Sequence, residues 1–434
     1  SSASGRLLSA TAARRPDEGR YGWRLQAWRR ESDFANTSVA VAEDRNATTP
    51  ANDQYETPAT GWGVNAALRR ATRDVAGGRL EWELGADARF NEGETRERFR
   101  FMQGAFTRDR VAGGETSVAG VYGEGSWSDD LWLVAGGLRL DGWRNENGRR
   151  REWDRATGSP TLDESDPDRS GEVVSARLAA RRFIGGGWAA RAAAYSGFRP
   201  ASLNELHRPF RVGNDLTEAN AGLVPETLQG IEAGLAFEGP ISAFGVSLFW
   251  NRIEDAIVNV TIAEGPGTFP RAGFVPAGGV LRQRQNAGTI EAKGVELTAR
   301  QALRGDLTLN GALSITDARM DGGSAAPQLT GLRPAQAPIW SATGGLDWRA
   351  SDRLGLSLQA RYESKRFEDD LNSRVLEAAV TVDARAEWRA GPRTLPWPAA
   401  DNLFDVEVEV SETAGGVAGY APPRTLSLGL RLSY

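Results

Sequence analysis

The sequence of 434 residues contains no cysteine and one histidine. Without cysteine there is no disulfide framework and no thiolate metal site. With His207 the sole imidazole, a transition-metal centre built from side chains and a Ser-His-Asp hydrolase are both disfavoured, so neither cofactor nor enzymatic activity is expected. No run of 18 or more apolar residues occurs, which excludes a transmembrane helix. Charge of one sign is also scarce: the formal net charge is −5, and no basic patch is interleaved with aromatics. Nucleic acid is therefore not an expected partner, and Arg149, Arg150 and Arg151 read as a solvated loop. Gly185, Gly186 and Gly187 read as a turn and not a phosphate loop, since no helix follows.

What is present is glycine (51 residues) and tryptophan (14), with 25% charged residues and a mean hydropathy of −0.43. Such an average ordinarily describes soluble domains. A membrane-spanning strand, however, needs only about 9–11 residues, every second one apolar, so a membrane barrel looks hydrophilic on average. Period two recurs along the chain. Leu80, Trp82, Leu84, Ala86, Ala88 and Phe90 alternate with Arg79, Glu81, Glu83, Gly85, Asp87 and Arg89, and similar alternation covers 354–362 and 425–434. One face suits lipid and the other water.

Connections separate this pattern from a soluble sandwich. Tight ones near 74–78, 128–130, 185–187, 239–242, 304–306 and 350–353 alternate with long polar stretches at 32–58, 91–114, 144–171, 200–225, 263–279, 320–338 and 366–374. A meander with two unlike ends requires that; a Greek key or a propeller does not. The expected fold is all-β, an antiparallel up-and-down transmembrane barrel wall of about seventeen strands. An odd number suits a closed bacterial barrel poorly.

Several segments carry a family resemblance. They are Gly197-Phe198-Arg199-Pro200-Ala201, Leu223-Val224-Pro225-Glu226, Phe249-Trp250-Asn251-Arg252, Gln285-Asn286-Ala287-Gly288, Lys293-Gly294-Val295-Glu296-Leu297, Asn402-Leu403-Phe404-Asp405 and a last strand closing on Tyr434. In order and spacing the chain resembles the C-terminal part of TonB-dependent outer-membrane receptors. The resemblance implies a 22-strand barrel, of which residues 1–434 form a single, N-terminally incomplete domain lacking the plug and about five first strands. It also implies residence in the outer membrane of a Gram-negative bacterium, among lipid and lipopolysaccharide. Two protein partners follow from it: a TonB-type energy-coupling protein acting through the missing N-terminal part, and the barrel-assembly machinery reading the C-terminal strand. The implied function is energy-coupled uptake of a scarce large ligand, a ferric siderophore or similar chelate, with a passive diffusion porin as the alternative.

One departure stands out: Pro396 and Pro398 fall in the penultimate strand, which is expected to be short or irregular. Candidate ligand contacts are His207, Arg208, Phe210 and Arg211 in the 200–225 loop, because guanidinium groups suit anionic ligands. The acidic group Glu363, Glu368, Asp369 and Asp370 reads as a charged loop near lipopolysaccharide in preference to the other reading its oxygens allow, a Ca²⁺ site.

Overall fold

The computed structural model describes every residue except 18, 43, 414 and 434, so the terminal Tyr434 lies outside the described residues. Seventeen long strands make the wall. They are β1 (Ser2–Arg14), β2 (Tyr21–Val41), β3 (Ala59–Arg70), β4 (Gly78–Met102), β5 (Ala105–Ser128), β6 (Trp132–Asp154), β7 (Arg169–Gly185), β8 (Trp188–Arg199) and β9 (Glu226–Glu238). They continue with β10 (Ser242–Glu254), β11 (Thr289–Arg304), β12 (Leu307–Asp321), β13 (Trp340–Arg349), β14 (Leu354–Glu363), β15 (Ala379–Trp388), β16 (Thr394–Asp401) and β17 (Thr425–Leu432). Each pairs antiparallel with the next. β1 is registered against β2 alone and β17 against β16 alone, so among the described residues the first and last strands do not pair with each other.

Among the described residues the wall has no separate apolar core. The three buried apolar clusters lie mainly in the connecting segments: Ala201, Leu206 and Leu223; Leu216, Val275 and Leu281; and Val260, Ala287, Met320, Ala326 and Leu329. The strand leucines are bare instead, Leu428 at 83% and Leu8 at 76% of full exposure. Accessible surface totals 24932 Å², against roughly 16,000 Å² for a compact soluble chain of this length. Apolar surface on that scale needs lipid against it. The opposite face, over which the long loops fold, carries the polar half of the alternation. There Gly85 sits under Tyr122, whose ring a Cβ would approach to 2.3 Å, and the Tyr122 hydroxyl donates to Glu83 at 2.8 Å.

Some stretches read as loops are strand. β4 and β5 hold one register from Arg79↔Ser128 to Met102↔Ala105 and turn at Gln103 and Gly104, both at positive φ, so most of 91–114 is ladder. At about 3.3 Å per residue β4 runs roughly 80 Å, far beyond a bilayer. The alternation stops near Phe90 because a ladder in water has no need of an apolar face. Likewise β6 runs to Asp154, paired by Pro160–Ser165, and β2 runs to Val41, paired by Thr48–Glu56.

The proline strand is short, as expected, but regular on one side. β16 keeps all eight residues in register with β17, whereas its pairing to β15 is confined to Ala384↔Ala400 and Arg385↔Ala399. Residues two apart direct their N–H groups to the same neighbour, so two prolines two apart remove donors from one ladder only. The Asn402-Leu403-Phe404-Asp405 motif is the turn that ties this hairpin to β15. Asn402 and Asp405 take positive φ (50° and 56°), Val406 N–H donates to Asn402 Oδ1 at 2.9 Å, Arg424 N–H to Asp405 Oδ1 at 2.8 Å, and Leu403 N–H to Val382 O at 2.7 Å. Phe404 remains exposed.

Candidate ligand cleft beneath the outer loops

The 200–225 connection folds back over the inner face. Its short helix α1 (Leu203–His207) starts with a reciprocal cap, the Ser202 hydroxyl accepting from Glu205 N–H while the Glu205 carboxylate accepts from Ser202 N–H. Leu206 buries against Ala201 and Leu223. Beyond the helix, Phe210–Val212 and Asp215–Glu218 form a hairpin, and Asp215–Glu218 pairs in parallel with Val280–Asn286, itself paired to Ile257–Glu264. This small sheet roofs one side of the wall.

Buried ion pairs lock the roof down. Glu97, fully buried on β4, receives Arg110 at 2.7 Å and Arg208 at 2.6 Å. Arg150 joins Glu152 and Glu218, each at 2.7 Å. Asp215 binds Arg282 at 3.0 Å and Arg374 at 3.2 Å. His207 is buried, with Nδ1 3.0 Å from Asp166 Oδ2, and its imidazole fills the space a Cβ would need at Gly114 and Gly148.

Beneath the roof opens a cleft of about 560 Å³, lined among others by Phe210, Arg284, Arg282, Glu368, Asp370 and Glu412. Its arginines differ in their commitments. Arg282 is engaged by Asp215, while Arg284 lies over the Phe210 ring at 5.0 Å and donates to the Arg208 carbonyl at 2.8 Å. Among the described residues Arg284 forms no ion pair, and burial lowers its pKa from the usual guanidinium value. Arg211 falls outside the cleft lining, donating to the Phe274 carbonyl at 2.7 Å; it too lacks a carboxylate partner, and burial lowers its pKa. Glu368 is shifted the other way, burial raising its carboxyl pKa against the pull of Arg374 and Arg282.

Of the four residues flagged in the sequence, the structure therefore sets Phe210 in the cleft, Arg211 beside it in the same short strand, and Arg208 and His207 in contact with the wall. Arg284 was missed, coming from another loop with no local mark beyond its charge. The acidic group is also placed differently from a solvated loop. Asp369 and Asp370 are buried, Asp370 accepting from Thr261 N–H at 2.8 Å and from its hydroxyl at 2.9 Å, Asp369 from Ser373 and Arg374 N–H at 2.9 and 2.8 Å. Among the described residues no cluster suited to a metal ion is present.

Fold and cleft together define an outer-membrane β-barrel wall roofed by its long loops. The chain belongs to the TonB-dependent receptor-like β-barrel family, whose model matches residues 6–410, and it is thereby a protein of the Gram-negative outer membrane. Comparison with curated proteins finds no match. Among solved structures it is similar to the ferric yersiniabactin uptake receptor FyuA of Yersinia pestis (TM-score 0.75, 15% identity), covering 99% of this chain and 61% of the receptor. The ferric citrate transporter FecA gives 0.70 and 14%, covering 99% and 61%, and the copper transporter OprC 0.73 and 16%, covering 99% and 66%. The chain thus spans about three-fifths of the length of the first of these receptors.

Proposed function

We propose that the chain is the greater part of the wall of a receptor for energy-coupled uptake of a scarce, large ligand, a ferric siderophore or similar metal chelate with an anionic face. The observation that carries this reading is the half-buried Arg284, unpaired with any carboxylate of the described residues and stacked on Phe210 in a cleft under a roof fixed by ion pairs. A guanidinium held out of water without a counter-charge is costly unless an anionic group completes it. Phe210 and Arg284 contact the ligand, Arg211, just outside the lining, adds positive charge beside them, and Arg208 and His207 hold the loop in place.

The two unpaired edges, β1 and β17, support completion of the wall by about five further strands, since open backbone groups in lipid cost several kcal/mol each. In the complete 22-strand receptor a plug fills the lumen and an N-terminal segment engages the TonB-type protein. Lipopolysaccharide surrounds the outer rim, and the barrel-assembly machinery reads the terminal strand. A triple F210A/R211Q/R284Q variant of that receptor is expected to lose affinity for anionic ferric chelates by at least about a hundredfold, with unchanged surface level. Unchanged affinity would remove the cleft from ligand binding and leave the porin reading to be tested.

A further inference from the structure

A second set of cations lies deeper, on the inner face of the wall and away from the loops. Three rows of cross-strand neighbours set their heights: Trp28↔Gly63↔Arg89, then Arg24↔Ala67↔Gly85, then Gly22↔Arg69↔Glu83 at the short-turn end. Four residues separate the first row from the second, about 13 Å along the strand, and two more separate the third, about 7 Å. Arg24, Arg69 and Arg89 all line one recess of about 440 Å³.

The carboxylates of that recess are already engaged. Asp87 is gripped by Arg139 at 2.6 and 3.0 Å, and Arg139 also holds Asp141. Glu83 accepts the Tyr122 hydroxyl and, although opposite Arg69 in register, forms no ion pair with it. Arg24 donates only to the Gln26 amide oxygen at 2.9 Å, and among the described residues none of the three guanidiniums forms an ion pair. On the same face Arg139 is matched by Asp87 and Arg177 by Glu124. The unmatched three stand at the depth of Leu25, Val64 and Leu84, the bare apolar residues of the opposite face.

We infer that Arg24, Arg69 and Arg89 form an anion-binding station on the lumen wall, which takes a carboxylate or phosphate group between the outer cleft and the short-turn end. With Asp87 held by Arg139, three guanidiniums face one remaining carboxylate in the recess, and such an excess of positive charge beside low-dielectric walls concentrates counter-ions, while forked donors fit planar or tetrahedral oxyanions. Asn65 and Gln26, in the row between Arg89 and Arg24, add neutral donors. The station needs no binding at Arg284. Its anion has two sources, a solute in transit or an acidic side chain of a protein segment filling the lumen.

The test is isothermal titration of citrate into the purified 434-residue chain in neutral detergent micelles, with the far-UV strand signal checked in every variant. Citrate is expected to bind with an affinity that falls with added salt and weakens about tenfold for each of R24Q, R69Q and R89Q. The titrations are made in an R211Q/R284Q background, so that the outer cleft, itself a proposed anion site, does not contribute, and citrate binding that persists there separates the station from that cleft. Should one of these variants fail to fold, R89Q carries the test, since Arg89 is exposed and forms no ion pair among the described residues. Citrate binding as tight in R89Q as in the parent chain, or lost in R211Q/R284Q, overturns the station. Titrating the complete receptor separates the two sources: binding retained there assigns the station to a solute, and binding displaced there assigns it to an acidic side chain within the lumen.

Discussion

Glu97 is a carboxylate with no exposed side-chain surface, shared by Arg110 from the neighbouring strand and Arg208 from a loop 111 residues away. Removing its charge leaves Arg208 without a carboxylate and Arg110 with Glu152 alone, at 3.6 Å. Glu97→Gln is therefore expected to cost about 3–5 kcal/mol locally, raising amide hydrogen exchange across 203–223 while the wall strands keep their protection. Equal protection in both proteins would show that the roof is held by its apolar contacts alone. Glu368 gives a pH dependence. Its pKa is raised by burial, so the favourable neutral form is fully present below the ordinary carboxylate range and lost as pH rises through the raised value. In the cleft, falling pH thus removes a negative charge, and affinity for an anionic chelate is expected to rise as pH drops from neutrality toward that value. Glu368→Gln should flatten the profile near its low-pH level; an unaltered profile would assign the titration elsewhere. Local sequence marked the 200–225 loop by its cations and aromatics, but not which charges remain free. Arg208 and Arg284 look alike in sequence, and only the fold gives Glu97 to one and no carboxylate to the other.

At the scale of elements, legibility followed the solvent. Where lipid touches one face, alternation is enforced, and the strands around Leu84, Leu358 and Leu430 could be read directly. Where both faces meet water the same ladder continues unmarked, so the alternation shows β4 only as far as residue 91 and β5 only from residue 114. Pro396 and Pro398 marked a weakened ladder correctly, but the side on which it would weaken depends on which neighbour their missing N–H groups would face. The face assignment has a direct test. Leu84→Arg places a charge on the bare apolar face and should cost about 2–4 kcal/mol near the bilayer midplane. Gly197→Arg, whose new side chain meets no heavy atom within 4 Å of its Cβ, should cost little. Gly85→Arg is a poor control despite facing inward, because Tyr122 occupies its Cβ position. Equal costs for Leu84→Arg and Gly197→Arg in a lipid refolding titration would reject the assignment.

For the whole molecule, the strand number and the order of long and short connections were legible because both follow from a meander crossing a layer of fixed thickness. The loop roof was not, since its contacts join segments far apart in sequence and its small sheet includes a parallel pairing that no hairpin pattern announces. The central claim is that this wall serves coupled uptake of a large chelate and not passive diffusion. Its most direct test is uptake of radioiron-labelled ferric chelates by cells making the complete receptor, with and without the energy-coupling protein. The account predicts saturable uptake that disappears when that protein is deleted and falls sharply with F210A/R211Q/R284Q. Uptake that stays linear in concentration and survives the deletion would contradict it and make the wall that of a porin.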